Sequence, residues 1–168
     1  MKKSEIIQSM VARAVEAQMR DDICARSAMV GLRSYFKDIP EEMVTATLSL
    51  AGGCGSASGS CGAYCSGLLA VGLKFNPTIE EEQSDPRARD RGALSFMEYR
   101  DRFIEVWDTT LCPEIHRQLF GQAFDLIDPI EHVAFLSTPG HEAKCAKVVA
   151  SAVELAADML LDKHPRWL

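Results

Sequence analysis

The chain is poor in aromatic residues, 7% of 168, and poor in positive charge, with 18 Lys and Arg against 24 Asp and Glu. The resulting net charge of -6 excludes a protein held to nucleic acid or anionic lipid by a basic field, and no basic cluster offsets it. Long apolar runs are missing as well. No charged residue falls between Met43 and Leu73, but the centre of that stretch, AGGCGSASGSCGAYCSG, is Gly, Ser and Cys. It is too polar and too loose for the run of about 20 apolar residues that a membrane-spanning helix needs, so no membrane insertion is expected. No segment sustains an apolar period of two, and no internal repeat occurs. A CxxCH sequence is absent too, so covalent haem is not expected.

What is present is a globular composition, 47% hydrophobic and 25% charged, at a length that encloses one core. A single domain over residues 1–168 follows, and its dominant period is helical. Ile7, Met10, Val11, Ala14 and Val15 give the first helix an apolar face. A second helix, capped by Asp21 or Asp22, runs to the Lys37-Asp38 break, and a third begins at Pro40 and stops at Gly52-Gly53. After a Gly/Ser/Cys-rich loop, Cys61 opens a fourth helix that ends near Asn76-Pro77, followed by a polar, exposed segment. The fifth carries Phe96, Tyr99, Phe103, Val106 and Trp107 on one side. A short sixth starts at Pro113 and ends at Gly121, a connection surrounds Asp128-Pro129, and the last helix runs from near Pro139 to Asp162. The fold class is an all-α bundle of about six to eight helices.

Charges at Glu5, Arg13 and Glu16 interrupt the apolar stretch a secretory signal would need, so a cytoplasmic location is expected. In that reducing compartment six cysteines point to metal or thiol chemistry, not to a disulfide scaffold. Cys61 and Cys112 stand at helix starts, where free N–H groups and the helix dipole favour a thiolate, the form that both metal ligation and disulfide exchange require. Gly52, Gly53, Gly55, Gly59 and Gly62 let backbone N–H groups approach a sulfur cluster. Taken alone, Cys24 and Cys145 fit apolar helix faces as small hydrophobes.

Asp21-Asp22-Ile23-Cys24, the glycine-rich loop, Cys61-Gly62-Ala63, Gly72-Leu73-Lys74 and the isolated Cys112 and Cys145 together resemble the redox-active family named for its C-(GCAxxG)-C-C cysteines. That resemblance covers most of the chain. It implies redox activity and a relation to the non-haem part of split-Soret cytochromes, where an iron-sulfur cluster is bound. It also implies Cys24, Cys61, Cys112 and Cys145 as metal ligands, the number that a [2Fe-2S] or [4Fe-4S] cluster takes.

Cys54 and Cys65 stand outside that set, as groups supporting the ligands from behind, alternate ligands or a thiol pair. His116, four residues after Cys112, and His141, four before Cys145, form a rival ligand set suited to zinc or a Rieske-like site. His132 and His164 have no companion cysteine. The leading expectation is an iron-sulfur protein that passes electrons to an unidentified electron-transfer protein, with a homodimer left open. Two alternatives accompany it: a metal-free thiol-disulfide oxidoreductase with Cys61 as catalytic nucleophile and Cys54 or Cys65 resolving, and a structural zinc protein.

Overall fold

The computed structural model describes residues 2–162, which leaves His164 outside the described residues. Helix α1 spans Lys3–Asp21 and α2 spans Cys24–Tyr35, with Asp22 between them in the left-handed region at φ 52°. Asp22 therefore closes α1; neither it nor Asp21 caps α2, whose N-cap is Ile23. Pro40 precedes α3, Glu41–Ala46, which tightens into a 3-10 turn at Thr47–Leu50 before the short α4, Ala51–Cys54. Helix α5 covers Gly62–Phe75. The expected polar loop after it contains a further helix, α6, Ile79–Ser84, set by a capping box in which Thr78 and Glu81 bond each other's backbone N–H groups.

Helix α7 spans Ala88–Trp107, and its buried face differs from the expected one. Tyr99 and Phe103 are buried with Gly92 and Ser95, whereas Phe96 and Val106 are exposed. Helix α8 is Cys112–Phe120 and α10 is His141–Leu161. Between them, where a connection is expected, Asp128 accepts from the N–H groups of Ile130 and Glu131 and starts α9, Pro129–Leu136. The helices of eight residues or more are α1, α2, α5, α7, α8, α9 and α10, in keeping with the expected all-α single domain. None of the described helices is long and apolar enough to cross a membrane.

Small residues set the packing. α1 lies along α2 and α10, and α5 fits against α2, α10 and α7. A Cβ on Gly31 would come within 2.5 Å of the Ala14 Cβ and 2.7 Å of the Met10 carbonyl, so α1 and α2 approach to backbone contact. Larger groups fill the layer behind α5. Tyr64 stacks on Tyr99 with ring centres 5.5 Å apart, and Phe103 lies 5.0 Å from Tyr64. Each such buried ring stabilises the fold by about 1.5–3 kcal/mol. A second, smaller cluster of Cys112, Phe124, Leu126 and Phe135, with Phe120 and Cys145 against it, sits under α8 and α9.

Candidate metal centre

Three helices begin at cysteines. Cys24 is the first residue of α2, Cys61 is the N-cap of α5, and Cys112 is the first residue of α8; Cys145 lies one turn inside α10. An isolated antiparallel bridge, Ser60 to Leu111, pairs the residues just before two of these starts. In it the Cys61 N–H donates to the Thr110 carbonyl at 2.7 Å and the Cys112 N–H to the Gly59 carbonyl at 2.8 Å. The four expected ligands line one cavity of about 70 Å³, whose apolar wall includes Ile115, Leu126, Phe135 and Val148. A cavity of only about 10–15 Å³ holds a water molecule, so this one has room for a group of several atoms.

The glycine-rich loop closes one side through an unusual backbone. Gly52, Gly53, Cys54, Gly55 and Ser56 have φ values of 66°, 82°, 63°, 76° and 57°, a left-handed turn. Left-handed backbone costs an ordinary residue roughly 1–2 kcal/mol, and glycine almost none, which is why three of these five are glycine. Of the expected glycines Gly52 is the one on the cavity wall, and Gly53, Gly55, Gly59 and Gly62 are not. Gly53 and Gly59 instead close the loop on itself, the Gly59 N–H donating to the Gly53 carbonyl at 2.9 Å, and Gly55 supplies a left-handed corner. Gly62 makes room: a Cβ there would come within 3.0 Å of the Cys24 sulfur.

Burial, not the helix starts, sets the thiol acidities. Desolvation pushes Cys61 well above its ordinary pKa, with the charges of Cys24 and Cys112 adding to it and the N–H groups of Tyr64 and Ala63 opposing it. Cys112 is raised to about 12 by burial and by Cys24 and Cys54, and Cys145 rises for similar reasons. Cys24 rises through burial against the N–H groups of Gly52, Ala25 and Ala63, which favour its thiolate. The expectation of ready thiolates at Cys61 and Cys112 therefore fails in the metal-free protein. Cys61, Cys112 and Cys145 all feel the charge of Cys24, and a cation among them is what would let several ionise together. Among the described residues no three His, Cys, Asp or Glu side chains are grouped closely enough to hold one metal ion.

Sequence comparison decides the family. Residues 23–159 match the family described as "putative redox-active protein (C_GCAxxG_C_C)". The chain belongs to the C_GCAxxG_C_C family. No curated protein and no solved structure matches it. All four cavity cysteines of this C_GCAxxG_C_C protein lie within the matched segment, and so do Cys54 and Cys65.

The two histidines of the rival ligand set part company in the C_GCAxxG_C_C fold. His116 is buried on the cavity wall with Nε2 3.5 Å from the Cys112 sulfur, stacked on Phe135 at 4.7 Å, and its Nδ1 has no hydrogen-bond partner. Burial lowers its pKa to about 4, so it is neutral at pH 7. His141 points elsewhere. Its Nε2 lies 2.6 Å from Asp22 Oδ2 and its Nδ1 3.1 Å from the Thr138 carbonyl, and both partners only accept. Burial lowers its pKa, but the bonds to Asp22 and Thr138 outweigh that and leave it raised. The Asp22–His141 pair thereby clamps the α1–α2 corner to the start of α10. Asp22 lines the cavity in a role that the sequence does not assign, whereas Gly52 belongs to the glycine-rich loop expected beside a sulfur cluster.

The remaining cysteines meet outside the cavity. Cys54, exposed, and Cys65, half-buried in the first turn of α5, have sulfurs 3.6 Å apart. Cys61 is buried, 7% exposed, and lines the cavity on the other side of the same helix start.

Proposed function

We propose that this protein is a redox carrier that holds an iron-sulfur cluster on Cys24, Cys61, Cys112 and Cys145 and exchanges electrons with a partner protein. One observation carries the proposal: four thiols spread over four helices face a single apolar cavity of about 70 Å³ without three donors converging on one point. A cluster spreads its ligands over several irons, whereas a lone zinc ion needs ligands about 2.0–2.3 Å from one centre. The donor set also fits, since Cys24 and Cys61 sulfurs face backbone N–H groups of Gly52, Ala25, Ala63 and Tyr64. Such bonds and the positive ends of α2, α5 and α8 offset sulfur charge and raise a cluster's potential.

Bound there, a cluster would supply one-electron redox chemistry. The chain would orient the four thiolates, exclude water with Ile115, Leu126, Phe135 and Val148, and fix the α10 cysteine through Asp22 and His141. The burial that raises Cys61 opposes its use as a nucleophile in the metal-free alternative. A cytoplasmic location, as the sequence suggests, would keep the four thiols reduced.

Anaerobic purification followed by visible spectroscopy and iron and sulfide analysis tests the proposal. The expected result is a coloured protein with matched iron and sulfide, its colour lost in Cys61→Ser and Cys145→Ser and kept in Cys54→Ser. A colourless, iron-free protein after cluster reconstitution overturns it.

A further inference from the structure

We propose that Cys54 and Cys65 form a reversible disulfide, an outward-facing two-electron couple beside the four-cysteine cavity and independent of what that cavity binds. The sulfurs are already in contact at 3.6 Å, although eleven residues separate the two cysteines. Both thiols address one acceptor, the Ser60 carbonyl, 3.5 Å from Cys54 and 4.0 Å from Cys65, so their side chains are turned toward the same point. Local backbone holds them there. Cys54 occupies φ 63°, a left-handed conformation unfavourable for a non-glycine residue, within the glycine turn that carries its side chain across to α5.

Neither sulfur belongs to the cavity wall, whose cysteines are Cys24, Cys61, Cys112 and Cys145. The pairing also resolves a difficulty in linking Cys61 to Cys65, which are four residues apart at the start of α5 and separated by about 6 Å along a helix axis. Cys54 is the exposed member and so the one an external disulfide can reach; Cys65 lies behind it.

The exchange balances with a small-molecule disulfide, R–S–S–R, as oxidant. The Cys54 thiolate attacks one sulfur, forming Cys54–S–S–R as the external S–S bond breaks and RS⁻ leaves. Cys65, whose thiol burial and the neighbouring Cys54 push up to about 12, gives up its proton as it attacks the Cys54 sulfur, forming the Cys54–Cys65 bond and expelling the second RS⁻. The two protons given up by the cysteines are taken by the two leaving thiolates. Two protein thiols are thus oxidised and one external disulfide is reduced to two thiols; a dithiol reverses it. The new bond would pin the left-handed turn to α5, and with it Gly52, whose N–H faces the Cys24 sulfur.

The test equilibrates the full-length protein with glutathione mixtures of defined potential, followed by alkylation and peptide mass mapping, with iron and sulfide measured on the same samples. Expected is a paired change: Cys54 and Cys65 lose alkylation in step, the dithiol-to-disulfide ratio falling about tenfold for each 30 mV of rising potential, and both recover with dithiothreitol. In Cys65→Ser, Cys54 should instead retain a glutathione adduct. Wild-type protein in which Cys54 stays as an adduct, or Cys61 is the partner, or neither thiol oxidises, overturns the proposal. Iron content then judges the cluster separately, since the thiol map does not depend on it.

Discussion

Along the α1–α2 seam the helices touch through Gly31 and Ala14, whereas around the cavity they are held apart by Cys112, His116, Phe124 and Phe135. The seam has no room for a methyl group; the cavity has about 70 Å³ of it. The contrast explains the scarcity of aromatic residues. Bulky rings are excluded where backbones meet, and three of the seven phenylalanines, Phe120, Phe124 and Phe135, gather instead about His116 beside the thiols. One region is stable through close approach, and the other is a rigid frame around a space.

The largest disturbance belongs to the seam. Gly31→Val forces side-chain atoms into Ala14 and the Met10 carbonyl and is expected to cost at least about 3 kcal/mol, read as a lowered urea midpoint.

The cavity side should respond to acid instead. His116 is neutral in the fold with a pKa of about 4, below the ordinary value of about 6.5, so its stability is complete above pH 6.5 and is lost as pH falls toward 4. At about 1.4 kcal/mol per unit this amounts to about 3 kcal/mol in the metal-free protein. Urea titrations across that range should show the loss in wild type and lack it in His116→Phe. His141 acts in the opposite sense: raised in the fold, its contribution is full below about pH 6.5 and fades as pH climbs through its folded value. Asp22→Asn should weaken that dependence, Thr138 and Glu142 remaining, and cost about 1 kcal/mol, a discounted figure for a charge-assisted bond with a partly exposed acceptor, and NMR should find the His141 pKa lowered.

Smallest is the exposed cap at α6. Thr78→Ala should cost about 0.5–1 kcal/mol and leave both the seam and the thiols unchanged, measured by denaturation and by the visible spectrum of reconstituted protein.

The same contrast governs what could be read from residues alone. Periodicity identifies α1, α2, α5 and α10 because each packs one apolar face on the bundle. It misassigns Phe96 and Val106, since burial on α7 follows the side that meets Tyr64 and Ala152 and not the side richest in large residues. Helices α6 and α9 carry visible starts, Thr78 with Glu81 and Asp128 with Pro129, that were outweighed by the polarity and the turn residues around them. The four cysteines that the family resemblance singles out line one cavity, a placement no local pattern along the chain encodes. The Asp22–His141 bond joins residues 119 apart, and no local pattern encodes such a partner. The thiol acidities escape for a related reason: a helix start is local, whereas the burial that overrides it comes from every element packed around the cavity.

The bridge between Ser60 and Leu111 also ties the cavity to the rest of the chain. It joins two segments whose intervening residues form α5, α6 and α7, so the starts of α5 and α8 meet only after that long excursion has returned. Such non-local closure costs more chain entropy than the local turns of a helix do. Cys24 and Cys145 lie farther apart still in the chain. The four thiols therefore face one cavity only when the whole bundle is in place, whereas a partly unfolded chain presents scattered cysteines.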